Sequence, residues 1–254
     1  MKKIKSLGQH FLNDQDIAQR IVHSLQLGEN PMTTVVEIGP GEGVLTQYLL
    51  DLPNIELYVV ELDRRLPALL LKKFPQLEDH IIHEDILKVD LETIFTHPFC
   101  VIGNFPYNIS TEIIFKMIEY RHKIPQMVGM FQKEVAQRIA AKPGSKTYGV
   151  TSVLTQLYFD VEYLFEVSND CFTPPPKVQS AVIRLQRHTR FDEKYTYKKV
   201  RQIVKLAFGQ RRKKLSNALK GVSFSDTIFF DTLKDKRAEQ LSVEDFVELS
   251  LFCQ

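Results

Sequence analysis

Short apolar runs that alternate with segments of helical spacing constrain this chain more than any other feature. "TTVVEIG" (33–39), "IELYVVE" (55–61), "HIIHED" (80–85), "FCVIGN" (99–104) and "QMVGMF" (126–131) read as buried strands. Between them, "VLTQYLL" opens a helix straight out of a glycine turn, Leu66, Leu69 and Leu70 mark a second, and "STEIIFKMIEYR" and "QKEVAQRIAA" follow. Ahead of them, Ile17, Ile21, Val22 and Leu25 sit at helical spacing behind Asp14, a suitable N-cap. Strand and helix in alternation predict an α/β fold, a mostly parallel sheet with helices on both faces. Ligands of such sheets bind at the carboxyl ends of the strands. "GVTSVLTQLYFDVEYLFEV" and "QSAVIRL" read as β-rich segments that close the sheet, with a stiff proline segment, "CFTPPPKV", between them.

Beyond about residue 186 the pattern changes. Val200, Ile203, Val204, Ala207 and Phe208 follow helix spacing. "RRKKLSNALKG" reads as a basic helix with Gly221 as its C-cap, and "SVEDFVELSLF" as a helix capped by Ser242. The expected organisation is an α/β domain over residues 1–186 and a small all-α domain over 187–254. Charge divides at nearly the same place: residues 1–183 hold 17 Lys and Arg against 22 Asp and Glu, and residues 184–220 hold 13 against 2. Clustered cations suit a polyanionic partner, a solvated helix face being the plainer alternative. No apolar stretch approaches the roughly 20 residues of a membrane helix, so no membrane is expected. The opening "MKKIKSLGQHF" has lysines with no apolar core behind them, so no secretory signal is expected either. Cys100, Cys171 and Cys253 make neither a disulfide framework nor a metal-ligand spacing, and the histidines do not cluster. A cytoplasmic chain without a metal is the expectation, and nothing demands more than a monomer.

"VVEIGPGEGVL" puts Gly39, Gly41 and Gly43 between a strand and a helix, where glycine lets the backbone approach a ligand. A dinucleotide fingerprint needs its third glycine at position 44, which is Val44, so the nicotinamide or flavin version is not met. That mismatch, with no catalytic His or Tyr-Lys arrangement, disfavours a dehydrogenase. The G-x-G-x-G spacing with Glu37 ahead of it instead resembles the first motif of class I methyltransferases, whose sheet is Rossmann-like. Glu61 ends the second strand and is suited to accept hydrogen bonds from both ribose hydroxyls. Asp85, after "HIIHED", is suited to accept one from an adenine amino group.

"GNFPY" ends the fourth strand at the same edge. Asn, Gly and Pro are ordinary turn residues, but amine methylation gives a sharper reading. The exocyclic nitrogen of adenine is a poor nucleophile because its lone pair is conjugated into the ring. Acceptors for its two N–H bonds, supplied by the Asn104 side-chain oxygen and the Pro106 carbonyl, would free that pair. Neither group needs to titrate, and in-line placement does most of the rest. Tyr107 would stack on the base, with Phe172 as an opposite wall or simply a core residue.

"N-[IL]-P-Y" behind such a glycine turn resembles the ribosomal RNA adenine N6-dimethyltransferases. The likeness runs through "GQHFLND", "VEIGPGEGVLT", "VELD", "EDIL", "GNFPYNIS", "FTPPPKVQSAVIRL" and "AFGQRRKKLSNAL". It points to the branch that dimethylates two adjacent adenosines in the 3′-terminal hairpin loop of 16S rRNA, in the small ribosomal subunit. The resemblance implies S-adenosylmethionine as cofactor, with contacts at His10, Leu12, Gly39, Gly41, Glu61, Asp85, Ile86 and Asn104. It implies target-base contacts at Asn104, Pro106, Tyr107 and Phe172. Arg211, Arg212, Lys213 and Lys214 become the candidate rRNA anchor, since cations on phosphate position a target without reading its sequence. Lys142 and Lys146 lie in a loop that would touch RNA or merely connect. Phe105 stands where the family more often has Leu or Ile, His10 where many members have Asn, and "RRKKL" replaces "RRKTL". The alternatives are the macrolide-resistance type acting on the large subunit, and a non-catalytic RNA-binding assembly factor.

Overall fold

The computed structural model describes residues 10–28, 32–191 and 195–253. In chain order its elements are β1 (Phe11–Leu12), α1 (Gln15–Val22), β2 (Thr33–Ile38), α2 (Thr46–Leu50), β3 (Ile55–Val60) and α3 (Leu66–Lys73). Then come β4 (Ile81–Ile82), α4 (Leu91–Ile94), β5 (Phe99–Asn104), α5 (Ser110–Glu119), β6 (Gln126–Gln132) and α6 (Lys133–Ile139). The chain continues with α7 (Val150–Gln156), β7 (Phe159–Val167), β8 (Phe172–Thr173) and β9 (Ser180–Arg187). The last helices are α8 (Tyr197–Gly209), α9 (Leu215–Ala218), α10 (Thr227–Leu233) and α11 (Val243–Phe252).

Seven strands form one sheet in the order β4-β3-β2-β5-β6-β9-β7. β2 pairs in parallel with β3 and β5, β3 with β4, and β5 with β6, while β9 runs antiparallel to β6. The expected α/β architecture is therefore the observed one. Strand order reverses between β2 and β5, which opens a crevice at their carboxyl ends. Val35, Val59, Ile102, Val128 and Val182 bring apolar side chains from successive strands into one core with Ile21 of α1 and Leu49 of α2. Asp14 caps α1 by accepting from the Ile17 N–H at 3.0 Å. A second sheet of two strands pairs Phe11 with Thr173 and Leu12 with Phe172, tying the segment ahead of α1 to the proline segment.

The chain divides into two compact units, one of residues up to 136 with 161–187, the other of 137–160 with the residues from 188 on. In this division residues 137–160 group with the C-terminal helices. Part of that segment reads as β-rich in sequence, and α7 corrects it. Ser152, Val153, Leu154 and Thr155 of α7 are all buried, and a continuous buried run does not distinguish helix from strand. Ser152 Oγ decides the matter locally, accepting from the Gly149 N–H at 3.0 Å and donating to the Arg138 carbonyl at 2.5 Å.

The second unit forms around α8, whose Val200, Ile203, Val204 and Ala207 are fully buried. Ser242 caps α11 as expected, in a reciprocal pair with Asp245. The basic segment differs from expectation. Residues 211–213 form a turn, Lys214 a backbone bridge with Arg237, and helix begins only at Leu215. Helix α9 ends before Leu219, so Gly221 lies outside its cap. Among the described residues no helix is long and apolar enough to cross a membrane, and no cluster of His, Cys, Asp or Glu has the form of a metal site.

Candidate active site

A cavity of about 580 Å³ opens at the carboxyl ends of β2 to β5, the size of a small-molecule site. Of the residues expected at a cofactor or target base, His10, Leu12, Gly39, Gly41, Glu61, Asp85, Ile86, Asn104, Pro106 and Tyr107 all line it. Phe172 does not. It is 2 % exposed and sits in the apolar core beside its pairing partner Leu12.

The floor is the glycine turn. Gly41 has φ +60°, and a β-carbon there would lie 2.9 Å from the Phe11 ring. Only glycine meets both conditions at once. At Gly43 the obstacle is Phe74, 2.4 Å from where a β-carbon would stand. The Gly41 N–H donates to Glu61 Oε2 at 3.2 Å, and the Asp63 N–H donates to Glu61 Oε1 at 2.8 Å. Burial raises the Glu61 carboxyl above its ordinary range against these bonds. Glu37 lies deeper, 1 % exposed, and accepts from Thr46 Oγ1 at 2.6 Å. Burial, with the nearby Glu61 charge adding to it, pushes Glu37 up to about 8.

Asp85 accepts from the Leu87 N–H at 3.0 Å, and Ile86 beside it is 5 % exposed. The Lys116 ammonium of α5 donates to the Val89 carbonyl at 2.8 Å and the Leu87 carbonyl at 3.3 Å, holding the segment that follows Asp85. Sequence reading missed Lys116, because its partners lie 27 and 29 residues away and are backbone groups.

At the end of β5, Asn104 donates through Nδ2 to the His10 carbonyl at 3.1 Å. That bond fixes which end of the amide is the donor and leaves Oδ1 as an acceptor. The Pro106 carbonyl accepts from the Ile109 N–H at 3.2 Å, and a carbonyl oxygen keeps a second lone pair. Tyr107 is held on two sides. Its hydroxyl lies 2.5 Å from Ser180 Oγ, and its ring stacks on the His10 imidazole with centroids 5.4 Å apart and planes at 25°. His10 Nδ1–H donates to the Pro174 carbonyl at 2.9 Å. The His10 ring therefore serves Tyr107, and its backbone serves Asn104.

Phe105 is 1 % exposed and explains its own presence. Gly103 and Gly129 pair directly across β5 and β6, and the Phe105 ring lies over both. A β-carbon on Gly129 would stand 2.2 Å from Phe105 Cε2. Two facing glycines thus make room for an aromatic ring at this turn.

The four cations at 211–214 do not share one environment. Arg211 Nε donates to Glu239 Oε2 at 2.8 Å, and Lys214 Nζ lies 2.8 Å from Asp235 Oδ1. Arg212 and Lys213 are exposed and make no ion pair among the described residues.

The chain matches the family described as "Ribosomal RNA adenine dimethylase" over residues 1–254. A Ribosomal RNA small subunit methyltransferase A from Cytophaga hutchinsonii is 53% identical over 253 residues, covering 98% of each chain. One of the same description from Parabacteroides distasonis is 51% identical, covering 100% of this chain and 95% of its own. Among solved structures, a dimethyladenosine transferase from Plasmodium falciparum has a TM-score of 0.76 at 26% identity, covering 94% of this chain and 96% of that one. The 23S rRNA methyltransferase ErmE has 0.74 at 25%, covering 94% and 98%. With full-length identity near one half and the glycine turn, acid and amide at one strand edge, the chain belongs to the ribosomal RNA adenine dimethylases.

Proposed function

We propose that this chain uses S-adenosylmethionine to dimethylate N6 of two adjacent adenosines in the 3′-terminal hairpin loop of 16S rRNA, within the small ribosomal subunit. The observation that carries the reading is the meeting of Asn104, Pro106 and Tyr107 with the glycine turn, Glu61 and Asp85 in one cavity. The residues fit the cofactor. Gly41 lets the backbone come close, buried Glu61 offers carboxylate oxygens to ribose hydroxyls, and Asp85 beside apolar Ile86 suits the edge and face of an adenine. When bound, the cofactor supplies an electrophilic methyl group.

The chain's own part is positioning. Asn104 Oδ1 and the Pro106 carbonyl accept the two N–H bonds of the target amino group and draw its lone pair out of conjugation. After a first methylation one N–H remains, so one acceptor suffices and the other side must admit a methyl. Tyr107, fixed by Ser180 and His10, offers its free face to an extruded base. A loop adenosine is easier to extrude than one within a duplex. Arg212 and Lys213 meet rRNA phosphate.

Incubation with S-adenosylmethionine and unmodified subunits, followed by mass spectrometry of the nucleosides, tests the reading. Dimethyladenosine in 16S rRNA is expected. Methylation confined to the large subunit would assign the macrolide-resistance type, and rRNA binding with no transfer would assign an assembly factor.

A further inference from the structure

We propose that the loop 142–147 is a second phosphate-contacting element, and that Arg211 positions this loop with Glu239 instead of meeting phosphate itself. The inference rests on the rRNA-binding reading above. Three distant pieces of chain meet here. Arg211 Nη2 donates to the Lys146 carbonyl at 2.6 Å and the Ser145 carbonyl at 3.4 Å, while its Nε donates to Glu239 Oε2 at 2.8 Å. The Glu239 backbone carbonyl in turn accepts from the Gly144 N–H at 2.6 Å. One Arg–Glu pair thus grips the loop at three consecutive residues.

The loop has a defined shape of its own. Gly144 has φ +87°, a conformation that suits glycine. Tyr148 closes the loop: it is fully buried, lies edge-on to Phe208 with centroids 6.0 Å apart, and donates its N–H to Ser145 Oγ at 3.2 Å. Lys142 and Lys146 are exposed and make no side-chain bond among the described residues. Arg212 and Lys213, next in sequence to the gripping arginine, are exposed in the same way. Four uncommitted cations therefore sit on two segments that Arg211 ties together. Arg211 itself is a poor phosphate ligand, because a carboxylate stands beside it and the Nε–Nη2 edge of its fork is already engaged.

Binding to small subunits across a salt series tests this, with hydrogen exchange at Gly144 as a local readout. Each phosphate contact contributes about 0.7–0.9 to the slope of log K against log salt. Lys142→Glu with Lys146→Glu is expected to lower both affinity and slope. Arg211→Lys, which cannot reproduce the fork, should weaken binding severalfold at unchanged slope and speed exchange at Gly144. Glu239→Ala should do the same, although loss of an acid on Coulomb grounds alone would tighten binding to RNA. Asp235→Asn serves as the contrast, since it frees Lys214 and should tighten binding. The inference is overturned if Arg211→Lys lowers the slope, if Glu239→Ala binds tighter than the native chain, or if the two lysine reversals leave affinity unchanged. A native chain that binds no small subunit overturns the parent reading, and does so before any variant is made.

Discussion

Glu37 is a carboxyl group kept out of water at the floor of a cavity, with one hydroxyl partner and a second acid nearby. Its folded value of about 8 lies above its ordinary 4.5, so the folded state holds a proton that the unfolded chain releases. Stability from this group is complete below about pH 4.5 and declines as pH rises toward 8. Glu37→Gln keeps an acceptor for Thr46 without the titration. The melting temperature of the variant, relative to the native chain, should rise steadily between about pH 5 and 8. Asn104 is a different case, since its worth lies in one oriented oxygen. Asn104→Ala should lower single-turnover transfer by about 10²-fold or more while RNA binding holds; near-normal transfer would refute its role. His10→Ala removes the ring that stacks on Tyr107 but leaves the carbonyl that holds Asn104. KM for RNA should rise about three- to tenfold, the size of one lost aromatic stack, as steady-state kinetics at saturating cofactor would show.

Strands β5 and β6 carry an arrangement that neither strand has alone. Gly103 and Gly129 face each other, and the ring of Phe105 occupies the space that two side chains would fill. Phe131 completes the contact at 5.0 Å between ring centroids. Gly129→Ala should therefore destabilise by about 1–3 kcal/mol through overpacking. Phe105→Leu in the same chain should recover part of that loss, because the shorter side chain relieves the 2.2 Å contact while Phe131 Cε2 still stands 2.6 Å from the new β-carbon. Denaturant midpoints for the two single variants and the double variant measure the coupling. Additive losses would show that the ring and the glycine do not compete.

Across the whole chain, charge and secondary structure divide in step. The segment 184–220 concentrates cations, yet the fold spends them unequally. Arg211 and Lys214 are paired with acids, and Arg212 and Lys213 are left to solvent. Reversing charge at Arg212 and Lys213 should weaken rRNA binding and lower its salt slope by about 1 for each residue. A slope that stays put would make the pair a solvated face. The two compact units also depart from chain order, because residues 137–160 group with the C-terminal helices. Nothing in the composition of that segment marks the transfer.

Much of the fold was legible in local pattern. Strand and helix alternation, the glycine turn, the Asp14 cap and the Ser242 cap each depend on residues within a few positions of one another, where spacing and intrinsic preference act directly. That the acids and the amide of the candidate site line one cavity was legible for the same reason, since each follows an apolar strand. Helix α7 was not, because a run buried on all sides carries no period. The remaining features depend on partners far apart in sequence. His10 reaches Asn104 across 94 residues, Tyr107 reaches Ser180 across 73, and Arg211 reaches Lys146 across 65. Periodicity holds no information about such pairs, because hydrogen bonds and stacking act over a few ångströms of space whatever the distance along the chain. Sequence determined which groups are candidates for the site; tertiary packing decided which of them are oriented and which cations are already taken.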